Sequence, residues 1–506
     1  MTESPEEAAQ RLGLRLLSPG PEPDRAPNGG AESEQQEPNG HAPEDSMPDL
    51  VLDPADAMST ARALKDANFL LDGHPTLHRH RGAFWLWTGS CYRLAGEEWI
   101  KSAIWNFLDG CSKLGPTGKD GVAKLIPFKP TKTQVSNVYE ALIAVCLLDD
   151  KIESPAWLAG PKRPPASEFF ACRTGLLHLP AGKSFAAMPT FFGLYASEVV
   201  FATTAPPPSK WLAFLKELFE DDVQSVQLLQ EWFGYLLSSD ATQQKILLLV
   251  GPKRSGKGTI ARVLTELLGH DSVAGPTMSS LGDTFGLEPL ITASAAIISD
   301  ARVGSHKTEL TERLLSISGE DTMTVARKYL RAWTGRLPTR LGILTNELPA
   351  LTDGSGALAS RFLVMLFTKS FYDNEDPALT RKLIAESSGI LNWAIEGYRR
   401  LNQRGHFIQP KSAIEARDEI EMLAAPVKAF IRDCCEVAKG RLVTVEGLWI
   451  EYKYWCERQG LNSANKAWFG RNLQSAAPGV KRKQAGSQED RATTYEGIGF
   501  QKKPAT

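Results

Sequence analysis

The chain has 506 residues, enough for about three domains at roughly 100–200 residues each. Hydrophobic residues make up 42% and charged residues 23%, and a net charge of −2 excludes whole-chain basicity as a sign of nucleic-acid binding. No apolar run approaches the roughly 18 residues needed to span a bilayer, the first ten residues lack an apolar signal core, and the seven cysteines form no Cys-x-x-Cys pair. A membrane span, a zinc ribbon and a disulfide framework are thereby excluded. A cytoplasmic, multidomain protein with reduced thiols is predicted.

Residues 1–50 hold eleven acidic and three basic residues, a local charge of −8, with eight Pro and no Phe, Trp, Tyr, Ile or Val. Such composition cannot bury enough apolar area to offset ordering entropy. A disordered acidic tail over 1–55 is expected. An N-terminal α+β domain is expected over 56–208. There, Phe84–Trp87 and Cys91–Leu94 read as a hairpin around Thr88-Gly89-Ser90, and 170–183 as another. Trp99–Leu108 and Val135–Leu148 have helical spacing. His78-Arg79-His80 lacks a third ligand nearby and reads as a solvated loop rather than a metal site.

Ala205-Pro206-Pro207-Pro208 marks a boundary. Trp211–Phe219 and Val223–Ser238 then read as amphipathic helices. Beyond them the texture becomes α/β: strand Lys245–Val250, helix Thr259–Leu268, and strands Ala295–Ile298 and Leu341–Leu344.

Between the first strand and its helix lies Gly251-Pro252-Lys253-Arg254-Ser255-Gly256-Lys257-Gly258-Thr259. Glycines let backbone N–H groups converge on phosphate oxygens, the helix N-terminus favours an anion, and Lys257 supplies a point charge. The residue after the lysine, usually Ser or Thr as a magnesium ligand, is Gly258, so Thr259 is the candidate from one position on. The next strand ends at Asp300, a second candidate for magnesium. The third ends at Asn346, followed by Glu347-Leu348-Pro349, and Arg361 follows a glycine-rich turn. A polar amide there suits orientation of water, and an arginine suits γ-phosphate charge in a neighbouring subunit.

The order resembles the superfamily 3 helicases, and more narrowly the helicase half of phage/plasmid primases and poxvirus-type primase-helicases. The matching stretches are GPKRSGKGT at 251–259, IISDAR at 297–302, SGEDTMTVARKY at 318–329 and LTNELPALTDGSGALASRF at 344–362. LQEWFGYL at 229–236 is similar to a stretch ahead of that motor. The resemblance implies an AAA+-like P-loop ATPase core over 209–405, ATP and Mg2+ as cofactors, and a homo-hexamer. It implies ATP and magnesium binding by Lys257 and Thr259, an acidic role for Asp300, a sensor at Asn346 and an arginine finger at Arg361. Where the family often has two adjacent acids, Ala301 follows Asp300, so Glu320 and Asp321 become further candidates to activate water.

Thr322–Arg340 is basic with interleaved aromatics, a composition suited to phosphates and stacked bases. The resemblance implies a channel hairpin here, with Lys328 and Arg331 on DNA. Residues 406–506 are expected to form a winged helix, with helices near 424–437, 444–459 and 465–476 and a basic strand pair. It carries Lys466, Arg471, Lys481, Arg482 and Lys483 toward DNA. Trp449, Tyr452 and Trp455 have helical spacing and read as core. The expected function is ATP-dependent DNA unwinding for replication of a phage, prophage or plasmid, in a bacterial or virus-infected cell. Single- and double-stranded DNA and a separate primase or polymerase are the implied partners. Rival readings are a DNA-binding initiator or regulatory ATPase without unwinding, and a nucleotide kinase, whose loop shares the Gly-Lys-Gly-Thr ending.

Overall fold

The computed structural model describes residues 50–117, 122–299, 307–328, 330–349, 357–463, 465–485 and 492–501. Residues 1–49 of the expected acidic tail, Asp300, Ala301, Tyr329 and residues 350–356 before Arg361 lie outside the described residues, whereas residues 50–52, expected to be disordered, hydrogen-bond to Ser112. Two compact units are formed, one from residues up to Arg163 plus 187–194, the other from 164–186 and from Tyr195 onward.

In the first unit, α1 (Ala57–Asn68) is capped by the Asp56 carboxylate, which accepts from the Ser59 N–H at 2.9 Å. Strands β1 (Leu77–His80), β2 (Ala83–Trp87) and β3 (Tyr92–Ala95) make an antiparallel sheet, with the expected tight turn pairing Trp87 with Tyr92. Helix α2 (Glu97–Asp109), the hairpin β4 (Ser112–Thr117) and β5 (Ala123–Pro127), and α3 (Lys132–Val145) follow. Thr131 and Gln134 form a capping box that starts α3. Leu64, Phe84, Ile100, Ile104 and Leu142 meet in this unit's core.

His78 and His80 correct an expectation. They lie on β1, not on a solvated loop, and their rings pack on Phe192 at centroid distances of 6.3 and 5.3 Å. Alternation along β1 turns both imidazoles to the same buried face. Burial, reinforced by the neighbouring His80, pushes the His78 pKa down to about 4.

The second unit begins with three antiparallel strands, Phe169–Cys172, Gly175–His178 and Lys183–Phe185, one more than the hairpin expected there. Helices α4 (Ser209–Phe219) and α5 (Val223–Leu237) precede β6 (Ile246–Val250) and α6 (Lys257–Leu268). Then come β7 (Val273–Ala274), β8 (Ala295–Ser299), α7 (Lys307–Ser318), the hairpin β9 (Met323–Arg327) and β10 (Leu330–Gly335), β11 (Arg340–Thr345), α8 (Ala357–Arg361), β12 (Phe362–Leu366) and α9 (Ser387–Arg404).

A five-stranded parallel sheet of order β7-β8-β11-β6-β12 is the centre of this unit. All five residues of β6 are buried, as a strand covered on both faces requires. Leu247 and Leu249 face α4, α5, α6 and α9, whereas Ile246, Leu248 and Val250 face α7 and Trp333. Helices α5 and α9 touch backbone to backbone. A Cβ on Gly234 would overlap the Ala394 carbonyl and the Tyr398 backbone, and one on Gly397 would overlap Gln230. Between the two helices the buried Glu231 carboxylate pairs with Arg400, at 2.6 Å, and with Arg404.

At the C-terminal end, α10 (Pro426–Cys434), β13 (Cys435–Thr444), α11 (Val445–Arg458), α12 (Lys466–Ala476), β14 (Lys481–Ala485) and β15 (Ala492–Phe500) share a core. The sheet order is β13-β15-β14. Tyr452 and Trp455 are buried and Trp449 packs beside them, as expected. The helix expected to reach 437 instead ends at Cys434, and β13 follows. A register shift between Val437 and Leu442, with Gly440 at φ 86°, breaks the alternation that would have marked this strand.

Candidate functional site

Parallel strands all end at one edge of a sheet, where an open α/β fold presents its crevice. Here Val250 of β6 pairs with Thr345 of β11 and Leu366 of β12, while Ser299 of β8 pairs with Leu344. The finishing edge therefore gathers the starts of the loops at 251, 300 and 346. The chain leaves β6 through the glycine-rich loop and continues directly into α6.

Both ends of that loop require glycine. A Cβ on Gly251 would overlap Phe367, and Gly256 sits at φ 88° as the N-cap of α6, where a Cβ would meet Leu218 at 2.9 Å. Arg254 also adopts a left-handed φ of 59°. The segment after β12 holds this curl from outside. Ser370 donates to the Lys253 carbonyl at 2.9 Å, the Phe371 N–H donates to the Arg254 carbonyl at 2.9 Å, and Glu375 pairs with Arg254 at 3.2 Å.

Lys257 is folded into the loop. Its ammonium donates to the carbonyls of Gly251 at 2.6 Å and Pro252 at 2.8 Å, and to the Ser255 hydroxyl at 3.0 Å. Burial lowers its pKa, since desolvation penalises the charged form. An anion in the curl would supply the counter-charge that three neutral acceptors lack. The N-terminus of α6, whose first N–H groups have no partner within the helix, points at the same place. Thr259 is nearly buried and its Oγ accepts from Arg262 at 3.2 Å, which leaves one lone pair for a further partner. Gly258 has only the Arg262 guanidinium, at 3.4 Å, near a notional Cβ.

Asn346 is exposed at the finishing edge, one residue beyond Thr345, whose carbonyl accepts from the Gly251 N–H at 3.3 Å. The Thr345 hydroxyl donates to the Glu347 carbonyl at 2.7 Å and accepts from the Glu347 N–H at 3.3 Å. This tight turn fixes the backbone of Glu347 beside Asn346 and keeps its side chain exposed. Glu347 is a carboxylate at the loop's edge that the reading of motifs passed over. Its signal was its position two residues past an apolar strand. Glu320 and Asp321 lie elsewhere. Gly319 accepts from Gln244, which precedes β6, so this turn sits at the starting edge.

Arg361 lies at the starting edge too. Phe362, its neighbour, pairs with Ile246, the first residue of β6, about 15 Å from the loop at roughly 3.3 Å per residue. Its guanidinium donates to the Leu315 carbonyl at 3.1 Å and the Ser318 hydroxyl at 3.0 Å, at the end of α7. Within one chain it does not reach Lys257.

The β9–β10 hairpin pairs Thr324 with Thr334 and Val325 with Trp333. Lys328 and Arg331 are exposed at its tip, and the Lys328 N–H donates to Glu288 at 3.2 Å. Two members of the basic, aromatic run face inward instead. Trp333 is core, and Arg340 is buried, donating to the carbonyls of Leu236 at 3.0 Å and Ser238 at 2.7 Å past the end of α5. Arg340 therefore closes a helix terminus and is removed from the DNA-facing set.

In the C-terminal fold Lys466, Arg471, Lys481, Arg482 and Lys483 are all exposed. Lys466 pairs with Glu446, and Lys483 with Glu496, which lies opposite Lys481 in the strand register. Part of the basic charge is thus met internally. Among the described residues no three His, Cys, Asp or Glu side chains cluster to hold a metal. A cavity of about 450 Å³ lined by Pro206, Leu212, Asn392, Trp393 and Arg399 includes none of the loop residues.

A family model described as a family of unknown function, DUF5906, matches residues 249–361, the stretch from the glycine-rich loop to Arg361. Solved structures that this chain matches include apo structures of the NrS-1 C-terminal region. One, at 12% identity and a TM-score of 0.42, covers 75% of this chain and 92% of that chain. Another, at 13% identity and a TM-score of 0.39, covers 61% of this chain and 80% of that chain.

Proposed function

We propose that this protein is an ATP-driven DNA helicase of superfamily 3 type, serving replication of a phage, prophage or plasmid. The observation that carries the reading is the glycine-bounded loop at the finishing edge of β6, with the Lys257 ammonium turned into it. ATP is the substrate, with its phosphates in the curl of residues 251–259 and Lys257 leaving the loop carbonyls for the outer phosphates. Thr259 and Asp300 hold the magnesium ion, which offsets phosphate charge. Asn346 orients water at the adjacent strand end. Arg361 acts across a subunit interface, since about 15 Å of strand separates it from its own loop. A head-to-tail ring closes such contacts, and a hexamer is the assembly proposed. Lys328 and Arg331 grip a single strand at the opposite edge, and residues 406–506 act as a winged helix on duplex DNA.

The test is ATP hydrolysis with and without single-stranded DNA, alongside native mass. Hydrolysis should rise with DNA in an assembled species. Lys257→Ala should nearly abolish hydrolysis while the circular dichroism spectrum stays that of the wild type. Wild-type hydrolysis by Lys257→Ala would overturn the site assignment. Transfer of phosphate to a nucleotide, without DNA stimulation, would instead identify a nucleotide kinase. Hydrolysis without strand displacement would identify a regulatory ATPase.

A further inference from the structure

Within the first unit the β4–β5 hairpin forms a two-stranded sheet of its own. Leu114 and Leu125 lie directly opposite one another and share a face, yet they are 64% and 51% exposed. Lys113 faces Ile126 on the other side, with Lys124 next along the strand. An isolated two-stranded hairpin is marginal in water, and a cross-strand leucine pair contributes only where water is excluded. Charge is equally one-sided. Residues 111–139 contain five lysines, Lys113, Lys119, Lys124, Lys129 and Lys132, against one acid, Asp120.

The chain itself enters at this arm. The Leu52 N–H donates to the Ser112 carbonyl at 2.9 Å, and the Ser112 N–H to the Leu50 carbonyl at 3.0 Å, so residues 50–52 bridge to the first residue of β4, at the base of the arm. Residues 1–49 therefore lead directly to the arm. They carry the acidic excess, and Leu12, Leu14, Leu16 and Leu17 supply apolar side chains. Anionic charge alone would suit the lysines but leave the leucine pair wet. A segment bearing both carboxylates and leucines matches both.

We propose that the acidic N-terminal segment, residues 1–49, docks on the arm formed by 112–117 and 122–127 and shields its lysines from other polyanions. Tethering makes weak docking sufficient. An effective concentration on the order of a millimolar against a docking constant of about 0.1 mM gives roughly ten-to-one occupancy.

Zero-length carbodiimide coupling of the full chain, read by peptide mapping, tests the contact. Lys113, Lys124 or Lys129 should couple to Asp or Glu within residues 1–49, and coupling should fade at about 1 M salt, where the Debye length is about 3 Å. In a mixture of isotope-labelled and unlabelled chains the coupled peptides should be unmixed. Amide exchange over 112–117 and 122–127 should be about tenfold slower than in a full chain with Leu12, Leu14, Leu16 and Leu17 replaced by Ser, in keeping with that occupancy. These substitutions leave the arm itself untouched. Coupling of the N-terminal carboxylates only to lysines elsewhere, or to none, overturns the proposal. So do mixed-isotope products, which would put a second copy on the arm, and protection seen only after an oligonucleotide is added.

Discussion

Two imidazoles on one face of β1 make the first unit sensitive to acid. The Nε2 atoms of His78 and His80 are buried and have no hydrogen-bond partner among the described residues. Burial holds both pKa values below the ordinary 6.5, with His78 at about 4. The unfolded chain therefore binds more protons than the folded one between those values. Stability should be flat above pH 6.5 and fall as pH drops from about 6.5 to about 4. The unfolding midpoint against pH measures this, and His78→Phe should flatten part of the slope. At the proposed ATP site Glu347 is the carboxylate to test. Glu347→Gln should bind a fluorescent ATP analogue as the wild type does while hydrolysis falls by about 10²-fold or more, the scale of a lost general base. Unchanged turnover would remove Glu347 from that role.

Among the elements, α5 and α9 show how little room a helix pair can leave. Gly234→Ala forces a methyl group into the backbone of α9, so it should cost at least the roughly 1–3 kcal/mol typical of overpacking. Chemical denaturation checks that value, and Gly258→Ala, whose Cβ would meet only the Arg262 guanidinium at 3.4 Å, serves as the mild comparison. Arg361 poses a different question, because its bonds to Leu315 and Ser318 stabilise α7 within its own chain. Arg361→Ala subunits mixed with Lys257→Ala subunits should regain hydrolysis that neither has alone, since an arginine finger contributes about 10³–10⁵ in rate across an interface. A pure anchoring role predicts a lowered melting temperature and no recovery on mixing. Much of the sheet was legible from runs such as Ile246–Val250, where every residue is apolar and glycine follows. Which edge each residue occupies was not. Glu320, Arg361 and Asn346 are near one another in motif order, yet register puts the first two across the sheet from the third. The Thr322–Arg340 run misled for a related reason. Composition describes a segment, but pleating sends Trp333 inward while Thr334 stays exposed, and Arg340 turns to the free carbonyls past α5. The histidines of β1 were misplaced because polar identity outweighed the two-residue period that buried them.

At the scale of the molecule, charge is divided between ends, with −8 over residues 1–50 and six more basic than acidic residues over 439–506. Replacing Lys481, Arg482 and Lys483 together by Ala should weaken duplex binding. If all three touch phosphates, the slope of log affinity against log salt should fall by about three. Because Lys483 already pairs with Glu496, a loss nearer two is the expected result. An unchanged slope would assign this surface to something other than DNA.

Sheet order also governs how this chain can be made. Central strand β6 is synthesised by residue 250, but both of its neighbours, β11 and β12, lie between residues 340 and 366. At roughly 5–20 residues per second, a ribosome needs several seconds to supply them. During that interval the apolar stretch Ile246–Val250 has no strand to pair with, and such a stretch is one that chaperones bind and neighbouring chains on a polysome compete for. Nascent chains halted before residue 340 should be cleaved by protease within the β6 region, and those halted with residue 366 well clear of the exit tunnel should resist.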